Sequence, residues 1–546
     1  MTRRWLRHTA ALALLLGLPA CGRSLSSATA TQPAVLSPTA GLVATTPPGT
    51  KQVASVTWAV YRDVNSLDPA YAFDYPENTA ISLMCESLLR QQPDGSLVPG
   101  LAAMTSPSPT QIVFTISQGA TFWDGHPVTP ADVVYSLQRQ MSPATGGFYG
   151  QVFTRVRSIE ATGADQVTIT LSQPDYWLPG ELSSMSGVII EKAFAVKEGK
   201  NYGTPAGSIM CSGAYKLKSW TPGVGVTAVA NDTYWDSTVG APKVAQIVLK
   251  GVPDPTTFTS GMLTGAIGGS YYFGSSSLTE LRASKNVKVY EGPGWATDAF
   301  VVSATSGPLA NVKVRQALSM ALDRKSIIST VYQGAALMPR WLANPGTFGY
   351  GKQVFNTAYD SSPVMSQDLT AARMLVQEAG AAGQTITIGT SSQIPSVATE
   401  TGAYQAAAEA IGLKVKLDSV SADNFINFFT SAQARKGVDG FITVNYGDYA
   451  DPAALLATIA LPDGSQNYDG FSDAQITSLL SQARGTADQD ARARLVAKAE
   501  ELAAQQLPWI PNTQPTSVLT LNSSLTGAIG SFAYMFAPWA DTLGGK

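Results

Sequence analysis

The sequence predicts an α/β protein with mixed sheets and several lobes. Segments with the alternating apolar pattern of strands are repeatedly followed by segments with helical periodicity. The pieces "TITIGT" and "LKVKLDSV" flank the helical "ETGAYQAAAEAIG", which predicts a βαβ unit with parallel pairing. About 495 residues remain after an N-terminal export segment and tether. That length is too great for a single core, so two or more domains are expected.

The first 20 residues read as a secretory signal. Arg3, Arg4 and Arg7 precede a short apolar core, Ala10–Leu18, and "LPAC" ends at Cys21. The apolar core is shorter than the roughly 20 residues that a membrane span needs. "LPAC" resembles a bacterial lipobox, which would make Cys21 the lipidated first residue of the mature chain. The alternative is an ordinary signal in which the cysteine is incidental.

Residues 21–50 are predicted to form a tether that follows the lipidated cysteine. Gly22–Thr50 is rich in Ser, Thr, Ala, Pro and Gly, and Arg23 is its only charged residue, so we expect it to be flexible. No later segment has 18 uninterrupted apolar residues, so no spanning helix is expected. The net charge is −3, and removal of the three signal arginines gives −3 − 3 = −6. No basic cluster indicates nucleic-acid binding.

Cysteine and histidine counts restrict the chemistry. Cys85 and Cys211 remain as one possible pair in an oxidising compartment, and we predict a disulfide, with two buried thiols as the alternative. His8 leaves with the signal, so His126 is the single histidine of the mature chain. A multi-histidine metal site is therefore excluded, and neither a metal nor another cofactor is expected. His126 lies in "DGHP" and is expected to serve that turn.

Local signals predict the individual elements. Thr110–Ser117 alternates as a half-buried strand, and "DGHP" then turns the chain. Thr129 is expected to cap a helix that starts at Pro130, has Asp132 in its first turn and runs through Leu137. Further strands are predicted at Asp165–Leu171 and Val244–Lys250, and further helices at Asn311–Val331, Leu369–Ala379 and Asp488–Gln506.

Six motifs occur in a characteristic order. They are "NSLDPA", "CESLLRQQPDGSLVPGLA", "FTISQGATFWDGHPVTPADVVYSLQR", "CSGAYKLKSW" with "NDTYWD", "NVKVRQALSMALDRKSII" and "GDYADP". In this order they resemble the family 5 solute-binding proteins of ABC importers, the group that includes oligopeptide- and dipeptide-binding lipoproteins. The resemblance extends from about Lys51 to Pro515.

The resemblance implies a two-lobed periplasmic-binding-protein fold of type II, the Venus-flytrap form, with an extra subdomain in the first lobe. Carried onto this chain, lobe I comprises residues 51–90, 201–300 and 507–546. The inserted subdomain is 91–200, and lobe II is 301–506. The hinge is expected near 300–303 and 506–511, and the lobes would close around a ligand.

The resemblance also suggests an anchor for the ligand. In peptide-binding members, the first acid of the "D-Y-x-[DE]-P" element meets the free ammonium of the ligand, and Asp448 has that position here. Asp451, directly before Pro452, is expected to accept backbone N–H groups at the start of a helix. The alternative is that both aspartates only cap helices or turns.

Other candidate ligand residues follow from the same resemblance. Asn445, Tyr446 and Gly447 would pair their main chain with an extended ligand, and Phe73, Asp74 and Tyr75 would form the opposite edge. Aromatic candidates for side-chain pockets, each with a core role as its alternative, are Tyr271, Tyr272, Phe273, Trp295 and Trp509. The chain departs from the family at "TGAIGGSYYF", which has no acid, and at "CSGAY". No basic residue is assigned to a ligand carboxylate.

The implied function is that of a lipid-anchored, extracytoplasmic, monomeric binding component of an ABC importer. It would capture short peptides or peptide-like solutes and deliver them to permease subunits, without catalysis and without nucleic acid. One alternative is a binder of an uncharged oligosaccharide or glycoside, and another is a regulatory lipoprotein of the same fold. A hydrolase that uses Asp448 and Asp451 is disfavoured, because acids three residues apart beside a proline are typical of structural roles.

Overall fold

Two large sheets and one smaller sheet organise the protein, and helices cover them. The computed structural model describes residues 39–271 and 275–546. In this part of the chain the α-helices are Tyr75–Met84, Pro130–Met141, Leu178–Glu181, Lys192–Glu198, Pro255–Thr264, Leu278–Ala283, Val312–Ala321, Arg324–Thr330, Lys352–Ser361, Leu369–Glu378, Pro395–Ala410, Ala422–Phe425, Asn427–Thr430, Pro452–Ala460, Ala474–Arg484 and Gln489–Gln506. The predicted α/β class is confirmed.

The first sheet has seven strands. In spatial order they are Val287–Gly292, Ser517–Asn522, Gly269–Ser270, Val56–Val60, Gln246–Gly251, Gly225–Ala230 and Tyr215–Thr221. Val56–Val60 runs parallel to both of its neighbours, and the remaining pairs are antiparallel. The core around this sheet is rich in large aromatic rings, among them Trp58, Tyr534 and Trp539.

The second sheet has six strands and is covered on both faces. In spatial order they are Ala336–Leu337, Trp509–Pro515, Ala296–Val302, Gly440–Tyr446, Thr385–Thr390 and Lys414–Ser419. Phe441 packs into one core cluster and Ile442 into another, as expected for neighbouring residues of a strand that is buried on both sides. Thr385–Thr390 and Lys414–Ser419 pair in parallel across the helix Pro395–Ala410, which confirms the predicted βαβ unit.

The third sheet lies within the chain segment between the strands Val56–Val60 and Tyr215–Thr221 of the first sheet. Its four antiparallel strands are Ala102–Ser108, Gln111–Ile116, Gln166–Leu171 and Val156–Ala161. Two small ribbons pair Leu89–Gln91 with Leu97–Pro99 and Leu525–Thr526 with Gly544–Gly545. We call residues 91–200, which contain the third sheet, the insertion.

The chain passes twice between the first and second sheets. The crossings are residues 293–295, between Val287–Gly292 and Ala296–Val302, and Thr516, between Trp509–Pro515 and Ser517–Asn522. The boundaries predicted at 300 and 506 are therefore wrong, because residues 296–300 and 509–515, both assigned to lobe I, belong to strands of the second sheet. Apolar strand patterns look the same on either side of a crossing, so the pattern could not locate it.

The two crossings contact each other directly. A Cβ at Gly294 would lie 2.1 Å from the carbonyl oxygen of Pro515, so only glycine permits this approach. Nδ2 of the buried Asn344 donates hydrogen bonds of 2.9 Å to both Ala296 O and Pro515 O. One amide group therefore ties the two crossing segments together.

The predicted disulfide is confirmed. Cys85 and Cys211 are bonded, and their Cα atoms are 4.9 Å apart. The bond joins the end of the helix Tyr75–Met84 to the segment that leads into Tyr215–Thr221, 126 residues further along the chain. It therefore closes the chain around the insertion.

Most predicted elements are confirmed, and one is wrong. The helix Pro130–Met141 begins after Thr129 with a capping box to Asp132, as predicted. The single helix predicted for residues 311–331 is two helices, because the Asp323 carboxylate accepts the N–H of Ser326 at 3.0 Å and caps a new helix. A cap residue inside an apolar periodic run ends one helix and starts another.

The predicted tether also ends too late. Val43 N–H donates to Glu291 O at 2.8 Å, Gly49 N–H donates to Thr542 O at 2.8 Å, and Thr46 is 2% exposed. Residues 43–50 therefore belong to the folded body. They are held by backbone hydrogen bonds, which a composition rich in Ser, Thr and Pro does not reveal.

The signal residues and Cys21 lie outside the described residues. None of the helices in residues 39–271 and 275–546 has the length and apolar character of a bilayer span.

Candidate functional site

The candidate site is built on the loop that ends the strand Gly440–Tyr446. After four loop residues, Asp451 caps the helix Pro452–Ala460: its Oδ1 accepts the N–H of Ala453 at 2.8 Å. This confirms the helix-cap role predicted for Asp451. Burial raises the pKa of Asp451 to about 6. The Asp451 carboxylate therefore has a structural role, because it accepts a hydrogen bond from the helix that it caps.

Asp448 lies in the same loop but has a different environment. Its side chain is half-buried, and its backbone carbonyl accepts a 2.8 Å hydrogen bond from Nε2 of Gln91. Within residues 39–271 and 275–546, the Asp448 carboxylate has no hydrogen-bond or ion-pair partner. Burial raises the pKa of Asp448 to about 7. An enclosed carboxylate without a counter-charge is a group that a ligand cation would stabilise.

The strand that leads to Asp448 has an open edge. On one side its whole length pairs with Ala296–Val302, with Asn445 opposite Thr297. On the other side, Thr385–Thr390 pairs only with the first two residues, Gly440 and Phe441. No strand among the described residues pairs with 443–446 on that side. A main chain free at this edge can add an extended ligand by backbone hydrogen bonds.

The three residues before Asp448 hold this edge in position. The Asn445 side chain is occupied within the same lobe: its Nδ2 donates to Oε1 of Gln466, and its Oδ1 accepts the N–H of Tyr446 at 2.8 Å. Gly447 packs tightly, since a Cβ there would lie 2.7 Å from the Cβ of Ala454. Residues 445–447 are predicted to bind a ligand through their main chain, and these side-chain contacts do not test that prediction.

Tyr446 links this edge to the segment predicted to oppose it. Its hydroxyl donates to the carbonyl oxygen of Phe73 at 2.8 Å, and its ring lies 5.0 Å from that of Tyr75. Asp74 caps the helix Tyr75–Met84 and binds Arg62 Nη2 at 2.6 Å, so its carboxylate already has a cation. The structure brings the segment 73–75 next to Tyr446, and its role as the opposite edge of a ligand site stays a prediction.

Phe73 forms part of an exposed aromatic pair. Its side chain is 44% exposed, and its ring centroid lies 4.1 Å from that of Phe148, which is 45% exposed. Phe148 comes from the insertion, and its N–H donates to Ala70 O at 3.0 Å. Two exposed rings beside the Tyr446 contact are an apolar surface against which a ligand side chain could pack.

The pocket role predicted for the tryptophans is wrong. Trp295 is 1% exposed and packs against Phe532 and Phe536, and Trp509 is 2% exposed inside the core of the second sheet. Rings enclosed in this way cannot contact a solute. Trp295 belongs to the crossing 293–295 and to the core of the first sheet, whereas Trp509 begins the strand Trp509–Pro515 at the end far from Thr516.

Tyr271 belongs to the core of the first sheet and also lines a cavity. It is largely buried, stacks on Tyr534 at 3.6 Å and donates its hydroxyl hydrogen to Ile529 O at 2.8 Å. Together with Trp58 and Tyr75 it lines a small cavity in the first lobe. Tyr272 and Phe273 lie outside the described residues.

Sequence analysis missed two residues of the insertion that lie near Asp448. Tyr149 is buried, and its hydroxyl donates to Ala72 O at 2.6 Å. Burial and then the Asp448 charge raise the pKa of Tyr149. The same two causes, in that order, raise the pKa of Glu181. No local pattern marks residues 149 and 181, because only the tertiary fold brings them to position 448.

One side-chain group on the insertion has the composition of a metal site. The ligand atoms of Asp124, His126 and Glu191 lie within 4.8 Å of one another. His126 Nδ1 is 2.8 Å from Asp124 Oδ2 and 3.1 Å from Glu191 Oε1. The Asp124 Oδ1 atom also accepts the His126 backbone N–H, so His126 serves its turn as predicted. An imidazolium between two carboxylates accounts for this group without a metal.

The fold and this geometry agree with comparisons to known proteins. The family described as bacterial extracellular solute-binding proteins, family 5, middle, matches residues 96–467. This is more than half of the 546 residues, so the chain belongs to that family. The expected two-lobed periplasmic-binding-protein fold is thereby confirmed.

Individual relatives cover nearly the whole described chain. The periplasmic murein peptide-binding protein MppA of Escherichia coli K12 is 27% identical over 492 residues, 85% of this chain and 88% of that protein. The solved structure of DppA from Helicobacter pylori, in complex with the peptide STSA, has 21% identity and a TM-score of 0.77 over 91% of this chain and 98% of its own. The structure of AgaA from A. tumefaciens, in complex with agropinic acid, has 22% identity and a TM-score of 0.77 over 90% and 98%.

Replacing Asp448 with asparagine is expected to stabilise the ligand-free protein at high pH. A carboxyl whose pKa is higher in the folded than in the unfolded chain favours folding while it is protonated, and this contribution is lost as the pH rises from about 4 to about 7. Because Asp448 is half-buried, we expect the D448N substitution to raise the free energy of unfolding, relative to the wild type, by about 1–2 kcal/mol more at pH 8 than at pH 5.

Urea unfolding at both pH values, on protein refolded to remove bound solutes, measures this difference. Asp463→Asn, which changes an exposed aspartate in the loop after the helix Pro452–Ala460, is the matched control and should show no such difference. Equal pH dependence in wild type and D448N would contradict an uncompensated carboxylate at position 448.

Proposed function

We propose that the protein is the extracytoplasmic binding component of an ABC importer, and that it binds short peptides or peptide-like solutes with a free amino group. The observation that carries this proposal is the unpartnered carboxylate of Asp448 at the end of an open strand edge. A ligand ammonium would supply the missing counter-charge. Removing one partner of such a desolvated pair costs about 3–5 kcal/mol, so this single contact can dominate affinity.

The open edge at 443–446 supports an extended ligand. Hydrogen bonds from a ligand main chain to this edge do not depend on the ligand side chains, so they tolerate different sequences. The edge leads directly into Asp448, which is the arrangement a peptide needs if its terminal ammonium and its first peptide groups are to bind together. The exposed rings of Phe73 and Phe148 would then contact an apolar ligand side chain.

The relatives support the same class of solute. MppA is named for binding murein peptides, and DppA was solved with a bound tetrapeptide. AgaA was solved with agropinic acid, so the same fold also accommodates a small solute that is not a peptide chain. We therefore keep peptide-like solutes within the proposal.

Closure of the lobes over the ligand is part of the proposal. The two crossings at 293–295 and 516 are short, touch each other and share one amide, Asn344, which makes them a suitable axis for a small rotation. A ligand that contacts both lobes would shift the protein toward the closed form by its differential affinity for that form.

We also propose that Cys21 carries a lipid and anchors the protein to the outside of the cell membrane. The sequence order of signal, "LPAC" and tether supports this proposal. Cys21→Ala should be released from the membrane fraction, while Ser24→Ala, next to the motif, should stay with it. Fractionation of expressing cells and mass measurement of the mature N-terminus test the difference. Retention of C21A in membranes would contradict lipid anchoring at this residue.

The binding proposal predicts a large loss when the Asp448 charge is removed. Asp448→Asn should weaken binding of tetra-alanine by about 3 kcal/mol or more, which is roughly 100-fold or more, because the ligand ammonium would be buried without a counter-charge. Acetylation of the peptide amino group should cause a similar loss in the wild type. Calorimetry on refolded, ligand-free protein measures both effects.

The control for this experiment is Asp463→Asn, which should bind tetra-alanine as the wild type does. Equal binding of free and acetylated peptide, or full affinity in D448N, would contradict the assigned role. Binding of neutral oligosaccharides with no effect of D448N would favour a sugar-binding protein instead. Mass spectrometry of solutes that co-purify with the native protein then identifies the natural ligand.

A further inference from the structure

A short helix of the insertion, Leu178–Glu181, rests against the loop that carries Asp448. A Cβ at Gly180 would lie 2.3 Å from Cδ2 of Tyr449, so the helix backbone contacts the ring of the residue after Asp448. Ser184 Oγ and Ser186 Oγ each donate to the carbonyl oxygen of Glu181 at 2.7 Å. These contacts fix the position of Glu181 beside the Asp448 loop.

The charges around this contact do not balance. Asp175 and Glu181 belong to the insertion, and Asp448, Asp451 and Glu500 belong to the second lobe. The cations that interact with this group are Arg155, Arg484 and Arg492. Five carboxylates therefore meet three guanidinium groups.

The three guanidinium groups are committed, and Glu500 accepts the N–H groups of Leu342 and Ala343. Arg155 Nη1 donates to Pro174 O at 2.5 Å. Arg484 binds Asp175 with both ends of its fork, Nε to Oδ1 at 2.9 Å and Nη2 to Oδ2 at 2.6 Å, and lies over the Trp177 ring. Arg492 lies over the Tyr350 ring and lowers the pKa of Asp451 against the larger, raising effect of burial. In the described part of the chain Arg484 forms an ion pair with Asp175 and none with Glu181, although its charge lowers the pKa of Glu181 against the larger, raising effects of burial and Asp448.

Glu181 and Asp448 are the two carboxylates that remain. Neither has a hydrogen-bond or ion-pair partner in the described part of the chain. After burial, the Asp448 charge is the largest cause that raises the pKa of Glu181. The nearby Tyr149 hydroxyl already donates its hydrogen bond to Ala72 O, so it does not donate to the carboxylate of Glu181 or Asp448.

We propose that Glu181 is a second cation-binding group of the ligand site, and that the preferred ligand carries two positive charges near one end, as in a peptide that begins with lysine, ornithine or arginine. This inference rests on the proposed function, because it assigns the terminal ammonium to Asp448. The terminal ammonium of the ligand would compensate Asp448 alone, and Glu181 would then have no counter-charge. A second amino or guanidinium group on the first ligand residue would compensate Glu181 as well.

Two matched peptides test the proposal. Lys-Ala-Ala and norleucine-Ala-Ala have side chains of similar length and differ in the second positive charge. At pH 7.5 the wild type should bind the lysine peptide at least tenfold more tightly. Glu181→Gln should reduce this ratio to about one while it keeps the affinity for the norleucine peptide, which also shows that the variant is folded. Asp448→Asn should weaken binding of both peptides.

Two further measurements separate charge recognition from a structural role. Glu181→Asp should retain part of the lysine preference, since it keeps the charge. In the wild type the preference should shrink as the pH is lowered, because burial and the Asp448 charge raise the pKa of Glu181 and a protonated Glu181 no longer attracts the side-chain ammonium; this readout needs no variant.

The outcomes distinguish the two proposals. Equal affinity of the wild type for both peptides, with both affinities lost in D448N, would overturn the role of Glu181 and leave the peptide-binding function intact. A lysine preference that survives in Glu181→Gln would also overturn it. Failure of both peptides to bind the wild type would contradict the proposed function itself.

Discussion

One carboxyl group without a counter-charge is the centre of the candidate site. Two parts of the fold contact the Asp448 region: its own strand and loop, and the insertion, from which Gln91 binds the Asp448 backbone and Tyr149 lies close to its charge. Burying a carboxylate without a cation costs free energy, and proteins offset that cost by protonating the group or by pairing it. Here the neighbouring aspartate is occupied as a helix cap, and Arg484 is bound to Asp175. We therefore propose that a ligand supplies the cation.

The rest of the architecture positions this charge. In the second sheet the strand Thr385–Thr390 pairs only with Gly440 and Phe441, so residues 443–446 have no strand partner on that side. The crossing 293–295 leads directly into Ala296, which pairs with Tyr446, so one connection between the lobes is joined to the strand that carries the edge. The disulfide and the backbone contacts of residues 43–50 hold the first lobe and its insertion together. The proposed ligand surface would thus be assembled from parts of the chain that are far apart in sequence.

Elements with strong local signals could be predicted from the sequence. The strand Gln111–Ile116 and the helix that follows it have clear alternation, a turn and a cap, and Asp451 before a proline indicated its capping role. The break at Asp323 was missed because its carboxylate competes with an otherwise continuous helical pattern. The tryptophans were misassigned because aromatic residues are typical of both pockets and cores, and only burial distinguishes the two.

The candidate site was predictable only in its lobe II part. Asp448 and the strand edge lie together in one stretch, 440–451, and resemble a family motif. Tyr149 and Glu181 reach the same place from the insertion, and no spacing in the sequence relates them to position 448. Contacts at such sequence separation follow from how the lobes and the insertion pack, so a single sequence does not reveal them.

Proton release on ligand binding tests the central claim most directly. If Asp448 is protonated in the ligand-free protein and ionised beside a ligand ammonium, binding of tetra-alanine at pH 6 should release about one proton. Calorimetry in two buffers with different ionisation enthalpies measures this number. We expect release in the wild type and none in Asp448→Asn. Binding without proton release in the wild type, or equal release in both proteins, would contradict the account.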